Sequence, residues 1–116
     1  MSIEDGANAV GPLLDRFPDT DCIFCVSDRP AFGALSAMKE QGKHVPNDIG
    51  IVGFGNFELS RFATPAITTV TVDPYAIGQA TGRLIEELLS ADDKTRPRAN
   101  NIDVSVELSF RGSTKN

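Results

Sequence analysis

The sequence predicts an α/β fold, about four strands in a mainly parallel sheet with three main helices. Helical and extended patterns alternate along the first seventy or so residues with short connections, the order that parallel strands with crossover helices require. Three apolar runs rich in β-branched residues, Cys22 to Val26, Ile49 to Phe54 and Ile67 to Val72, have the length and continuity of strands buried in such a sheet. A polar loop from Gly55 to Pro65, carrying Gly55, Asn56, Glu58, Ser60 and Arg61, follows the second run, where open α/β sheets bind their ligands.

The first helix is predicted from Ile3, Ala7, Val10, Leu14 and Phe17 at three- and four-residue spacing, with Ser2 and Asp5 as a capping pair. Pro12 should bend it or mark a late start. Pro18, Asp19 and Asp21 make a turn into the strand Cys22 to Val26, expected to be buried on both faces. Ser27 and Asp28 can cap the next helix, Pro30 suits its first turn, and Ala31, Phe32, Leu35 and Met38 form its apolar stripe. Gly42 ends it, and a turn from His44 to Asn47 leads to the strand Ile49 to Phe54.

After the polar loop and the strand Ile67 to Val72, Asp73 is an N-cap with Pro74 at the first helical position. Ile77, Thr81, Leu84, Ile85 and Leu88 are the inner face of this long helix, and Gly78 and Gly82 permit close packing of helix on sheet. Residues 90 to 101 lack periodicity and read as an exposed, mobile loop. Val104, Val106, Leu108 and Phe110 alternate with polar residues, the pattern of a strand with one wet face, and 111–116 reads as a polar tail.

Of 116 residues, 41% are hydrophobic and 23% charged, which fits one soluble globular domain. Eleven basic against sixteen acidic residues leave a net charge of -5, with no basic cluster, so direct nucleic-acid binding by this chain is not expected. No run reaches the length of a membrane span or a signal peptide, and a cytoplasmic location without membrane contact is the expectation. Cys22 and Cys25 spell Cys-x-x-Cys inside an apolar run, where odd spacing on a strand sends them to opposite faces. They are expected as buried, reduced core cysteines, because a zinc site needs ligands that His44 alone does not supply. No metal cluster, glycine-rich phosphate loop or Ser, His and acid set is apparent, so neither cofactor nor catalysis is expected.

Residues 45 to 72 resemble the effector-binding core of the LacI/GalR family of bacterial transcription regulators, which commonly reads Val-Pro-x-Asp-x-x-Val-x-Gly-Phe, a polar loop, then Pro-x-Leu-Thr-Thr-Val. The likeness runs in family order from Asp21 to Asp28, through Ala31 to Leu35, Gly42 to Pro46, Ile49 to Phe54 and Pro65 to Val70, to Glu107 to Thr114. Within the family, Phe-Cys-Val-Ser-Asp-Arg-Pro paired with Gly-Phe-Gly-Asn-Phe-Glu is most similar to gluconate-type regulators. The resemblance implies a truncated lobe of a type I periplasmic-binding-protein-like fold. Residues 1–70 would be part of the second lobe and 71–116 the hinge, crossover helix and returning strand, with no DNA-binding head.

It also implies effector contacts. Ser27 and Asp28 stand where the family places a polar residue and an acid facing the effector, although both residue types also cap helices. Many relatives carry an Asp after Gly53-Phe54, whereas this chain has Gly55 and then Asn56; the missing carboxylate would better tolerate an anionic ligand such as gluconate or another sugar acid. Asn56 and Phe57 are the substitute contacts, with an ordinary Gly-Asn turn as the other reading. Arg29 could pair with a ligand carboxylate or stand as a surface arginine. Family members dimerise through segments matching Pro30 to Met38 and Phe57 to Ala63, which makes Phe32, Leu59 and Phe62 interface candidates; core packing is the alternative for Phe32 and Leu59.

Three functions follow as expectations: a non-catalytic regulator segment with part of an effector pocket and a homo-oligomer interface, a fragment that only self-associates, or a small flavodoxin-like enzyme or signalling domain. The last needs a phosphate cradle or acidic phospho-acceptor cluster, and neither is apparent.

Overall fold

A computed structural model describes residues 1–96 and 101–115. In chain order the elements are α1 (Ile3–Arg16), β1 (Cys22–Phe24), α2 (Asp28–Glu40), β2 (Gly50–Phe54), α3 (Glu58–Phe62), β3 (Thr68–Val72), α4 (Pro74–Ser90) and β4 (Val106–Ser109). The sheet order is β1-β2-β3-β4, with Ile23 beside Ile51 and Gly53 beside Thr69 in parallel register. Thr71 pairs with Ser109 and Thr68 with Arg111, so the returning chain runs opposite to β3. The α/β class and mainly parallel sheet are as the alternation predicts. The chain divides into two compact units, Met1–Thr71 with Glu107–Asn116, and Val72–Val106.

In the first unit, Ile23, Ile51 and Ile67 of the sheet region meet Ala31, Ala34, Leu35 and Met38 of α2, and Val10 of α1 closes the cluster. Ser2 and Asp5 form the predicted capping box, and the Ser2 amide and hydroxyl hold the Asp5 carboxyl below the usual carboxylate range. The helix runs on through Pro12 at an exposed position, so Pro12 does not mark its start. Helices α1 and α2 touch backbone to backbone. A Cβ on Gly6 would collide with the Pro30 carbonyl, and one on Gly33 with the Ile3 carbonyl. Gly42 ends α2 with a φ of 70°; its amide donates to the Lys39 carbonyl at 3.0 Å and the Lys43 amide to that of Met38 at 2.9 Å. That pair of bonds satisfies the last carbonyls of the helix and needs a left-handed residue, which glycine supplies.

Several expectations change. β1 stops at Phe24 and is an edge strand, so Phe24 and Val26, 61% and 64% exposed, are not buried on both faces. The polar loop contains α3, a single turn too short for a periodic signal. The alternation over Val104 to Phe110 gives only β4, an edge strand whose Val106 and Leu108 are both exposed. The expected polar tail folds back instead, and Ser113 is fully buried. Of the loop over 90 to 101, residues 92–96 are exposed, while 97–100 lie outside the described residues, as does Asn116.

The second unit is built on α4, capped as predicted by the Asp73 carboxylate, which accepts from the amides of Tyr75 and Ala76 at 3.0 Å each. No residue of α4 is buried. Leu84 and Leu88 are half-buried, whereas Ile77, Thr81 and Ile85 are exposed and a Cβ on Gly78 or Gly82 would meet nothing, so the predicted inner face is not enclosed. No helix among the described residues is long and apolar enough to cross a membrane.

Gly33→Ala should lower stability by about 1–3 kcal/mol or more, since the added methyl must push α1 off α2. Gly11→Ala, where a Cβ meets nothing, should be neutral or stabilising. Urea unfolding of both variants checks the contrast.

Candidate functional site at the carboxyl ends of the strands

Two turns leave the sheet at the same end, one after β1 at Val26–Ser27 and one after β2 at Gly55–Phe57. Asp28 joins them. It is 0% exposed; one carboxylate oxygen accepts from the Thr69 hydroxyl at 2.5 Å and the other from the Phe57 amide at 2.7 Å. Gly53 makes room for this carboxylate, because a Cβ there would collide with Asp28 Oδ1. The sequence expectation that Asp28 caps α2 is therefore corrected: its side chain is spent across the sheet. Ser27 occupies the N-cap position but makes no side-chain capping bond, so its half-buried hydroxyl has no helix amide as partner.

The second turn needs left-handed backbone at two successive residues, with φ of 111° at Gly55 and 54° at Asn56. Glycine reaches that region freely, and asparagine is among the few other residues that do so readily. The Gly55 amide donates to the Val70 carbonyl at 2.8 Å and the Asn56 amide to the Thr69 hydroxyl at 3.3 Å, which holds the turn over the end of β3.

Arg111 grips this turn from behind. Nη2 donates to Asn56 Oδ1 at 2.6 Å, while Nη1 donates to the Ser60 hydroxyl and the Ile67 carbonyl at 2.9 Å each. Ser113 anchors the returning segment: its hydroxyl donates to the Ile51 carbonyl at 2.5 Å and accepts from the Thr68 amide at 2.8 Å. Neither residue stands out by local pattern, although both lie in the Glu107 to Thr114 stretch that carries the family resemblance. Arg111 and Ser113 lie 55 and 57 positions beyond Asn56, and a short polar run after a strand carries no local sign that it re-enters the fold.

Asn56 is half-buried and Phe57, 49% exposed, presents part of its ring to solvent. Arg29 is exposed and has no ion pair among the described residues. Of the interface candidates, Phe32 is half-buried against the core, Leu59 is half-buried, and Phe62 is 79% exposed. An apolar groove runs beside β1, lined by Gly6, Val10, Leu13, Ile23 and Phe24 among others; Ser27, Asn56, Phe57 and Arg111 do not line it. Cys22 is exposed, which corrects the expectation of two buried cysteines; it opens an edge strand whose outer side is uncovered. Cys25 is half-buried, and burial, aided by Cys22, pushes its thiol up to about 11. No group of three His, Cys, Asp or Glu residues placed to hold a metal ion occurs among the described residues.

Residues 3–114 match the family described as a periplasmic binding protein-like domain. The chain belongs to that family. Its relatives are LacI-type regulators. A LacI family transcriptional regulator from Silicibacter pomeroyi is 54% identical with a TM-score of 0.83, over 100% of this chain and 40% of that one. The HTH-type transcriptional repressor CytR of Escherichia coli (strain K12) is 36% identical over 116 residues, 99% of this chain and 33% of the relative. A LacI family regulator from Arthrobacter sp. FB24, solved in complex with lactose, is 28% identical with a TM-score of 0.81, over 98% of this chain and 42% of that one. The chain spans about a third of the length of the curated LacI-type relatives it matches.

Asp28→Asn should lower stability by about 1–3 kcal/mol, because one amide cannot accept from both Thr69 and Phe57 without turning an N–H toward a donor; thermal unfolding checks this. Near neutral pH, alkylation should reach exposed Cys22 ahead of Cys25, as read by mass spectrometry. Since folding raises the Cys25 pKa, the stability linked to its protonated form is complete below the ordinary value of 9.0 and is lost as the pH rises toward about 11. Cys25→Ser should flatten that part of the stability–pH curve.

Proposed function

We propose that this chain is the effector-binding segment of a LacI-type transcriptional regulator, carrying part of a pocket for a sugar or sugar acid and a self-association surface, with no catalytic role. The observation that carries the reading is the pair of turns at the carboxyl ends of adjacent parallel strands, held at fixed spacing by Asp28 and leaving the Ser27 hydroxyl, Asn56 amide and Phe57 ring for a ligand. Hydroxyl and amide groups suit a polyhydroxy ligand, and an aromatic ring suits the apolar face of a sugar ring. Solution of a relative with lactose supports this ligand class. Asp28 serves the site by fixing its two walls. In this reading Arg29, exposed on the first turn of α2, is available to an anionic substituent, and a plain surface arginine is the other reading. Placement in the cytoplasm belongs to this reading, since a regulator works where its DNA is.

Self-association would use α2 and α3. Phe62, 79% exposed beside half-buried Leu59, is the apolar side chain there most in need of cover, with Phe32 supporting it from α2. One observation favours a second reading, in which the chain only self-associates: α4 has no buried residue, and Tyr75, Ile77, Ile85 and Leu89 are exposed large apolar side chains.

Calorimetric titration of the purified chain with gluconate, glucose and lactose separates the two. Saturable heat with one of them is expected, and its absence with all three leaves self-association alone. Light scattering after gel filtration should show a dimer or larger assembly, and Phe62→Glu should shift it toward monomer; a monomeric parent chain would remove the interface from the proposal.

A further inference from the structure

Arg111 holds the Asn56 side chain in a way that decides what Asn56 can offer. A guanidinium carries only N–H donors, so the side-chain atom 2.6 Å from Nη2 has to be the amide oxygen. The amide nitrogen therefore faces away from the arginine, and it has no acceptor among the described residues. The left-handed turn at Gly55 and Asn56 and the bond from the Asn56 backbone amide to Thr69 keep the residue in place.

The charge behind the amide matters as well. Arg111 is half-buried, its acceptors Ser60, Ile67 and Asn56 are all neutral, and no carboxylate lies within ion-pair distance of it among the described residues. Of the carboxylates near Asn56, Asp28 has its two oxygens turned to Thr69 and the Phe57 amide, and Glu58 is exposed on the first turn of α3. A cation bonded to an amide oxygen polarises that amide and makes its N–H a stronger donor. Gly55, beside it, brings no side chain that could oppose an anion.

We infer that Arg111 is a positioning residue that fixes Asn56 as a polarised hydrogen-bond donor, so that the effector group meeting Asn56 is an acceptor, namely the carboxylate of a sugar acid. This rests on the effector-binding reading and narrows it. A carboxylate there completes a chain from anion to amide to guanidinium. A sugar hydroxyl could accept the same bond, but without charge assistance and with no acceptor from Asn56 for its own proton.

The test is calorimetric titration of the full chain, as wild type, Asn56→Asp and Arg111→Lys, with gluconate, its neutral methyl ester and glucose. Wild type should favour gluconate over glucose by about tenfold or more, with the ester between them. Asparagine and aspartate both tolerate the left-handed backbone, and an Asp carboxylate can accept from Arg111 as the amide does, so Asn56→Asp removes the donor with little change of fold. It should weaken both gluconate and the ester, gluconate the more because the new carboxylate also repels it, while glucose changes less than about threefold. Loss for gluconate alone would mean simple charge repulsion and overturn the inference, as would equal wild-type affinities for gluconate and glucose. Arg111→Lys keeps the charge without the planar fork and should narrow the preference in a protein that still melts cooperatively; if it does not fold, Asn56→Asp decides. Should wild type bind none of the three, the effector reading itself fails and this inference with it, whereas binding without the expected selectivity overturns the inference alone.

Discussion

A buried carboxyl group with no ion pair among the described residues is the constraint around which the rest is arranged. Asp28 is fully buried, and burial of so polar a group is tolerable only when hydrogen-bond partners replace the lost water. Two do, from separate parts of the chain: the Thr69 hydroxyl on β3 and the Phe57 backbone amide beyond β2. Meeting both at once requires the first turn of α2 to lie over the ends of two strands, and that requires Gly53 to have no side chain. The two turns that carry Ser27, Asn56 and Phe57 are tied together by these same bonds.

The returning segment does comparable work on the other side of the same turn. Ser113 is inserted between β2 and β3, bonded to the Ile51 carbonyl and the Thr68 amide, and its own backbone amide and carbonyl pair with Ala66 and Ile51. This places Arg111 where its fork reaches α3, the residue before β3 and the Asn56 turn together. A short polar stretch thereby rigidifies a loop that would otherwise be free to reorient, and rigid support of this kind is what binding sites on loops need. Apolar side chains are exposed at the edge strands β1 and β4 and along α4.

Local pattern made much of this legible in advance. The four strands and three main helices, the Ser2 and Asp5 box, the Gly42 terminus and the Asp73 and Pro74 start each follow from side-chain chemistry acting within a few residues, and their boundaries moved by only a few positions. The family resemblance to LacI-type regulators was equally visible, being carried by residues in order along almost the whole chain, and the family match over residues 3–114 agrees with it. Ser27, Gly55 and Asn56 were recognisable as the polar ends of strands, and the left-handed φ at Gly55 and Asn56 agrees with their turn chemistry.

The sequence by itself determined the periodicities, caps and turns, because each is settled by the few residues around it. Only the tertiary structure decided that Asp28 faces inward, that Cys22 is exposed, that Val106 and Leu108 of β4 are exposed, and that Arg111 and Ser113 bond back into the fold. Those outcomes depend on partners tens of residues away: Asp28 on Phe57 and Thr69, Arg111 on Asn56, Ser113 on Ile51. A side chain's hydrogen-bonding capacity can be read from its chemistry, but the atom that satisfies it is chosen by the packing of the whole chain.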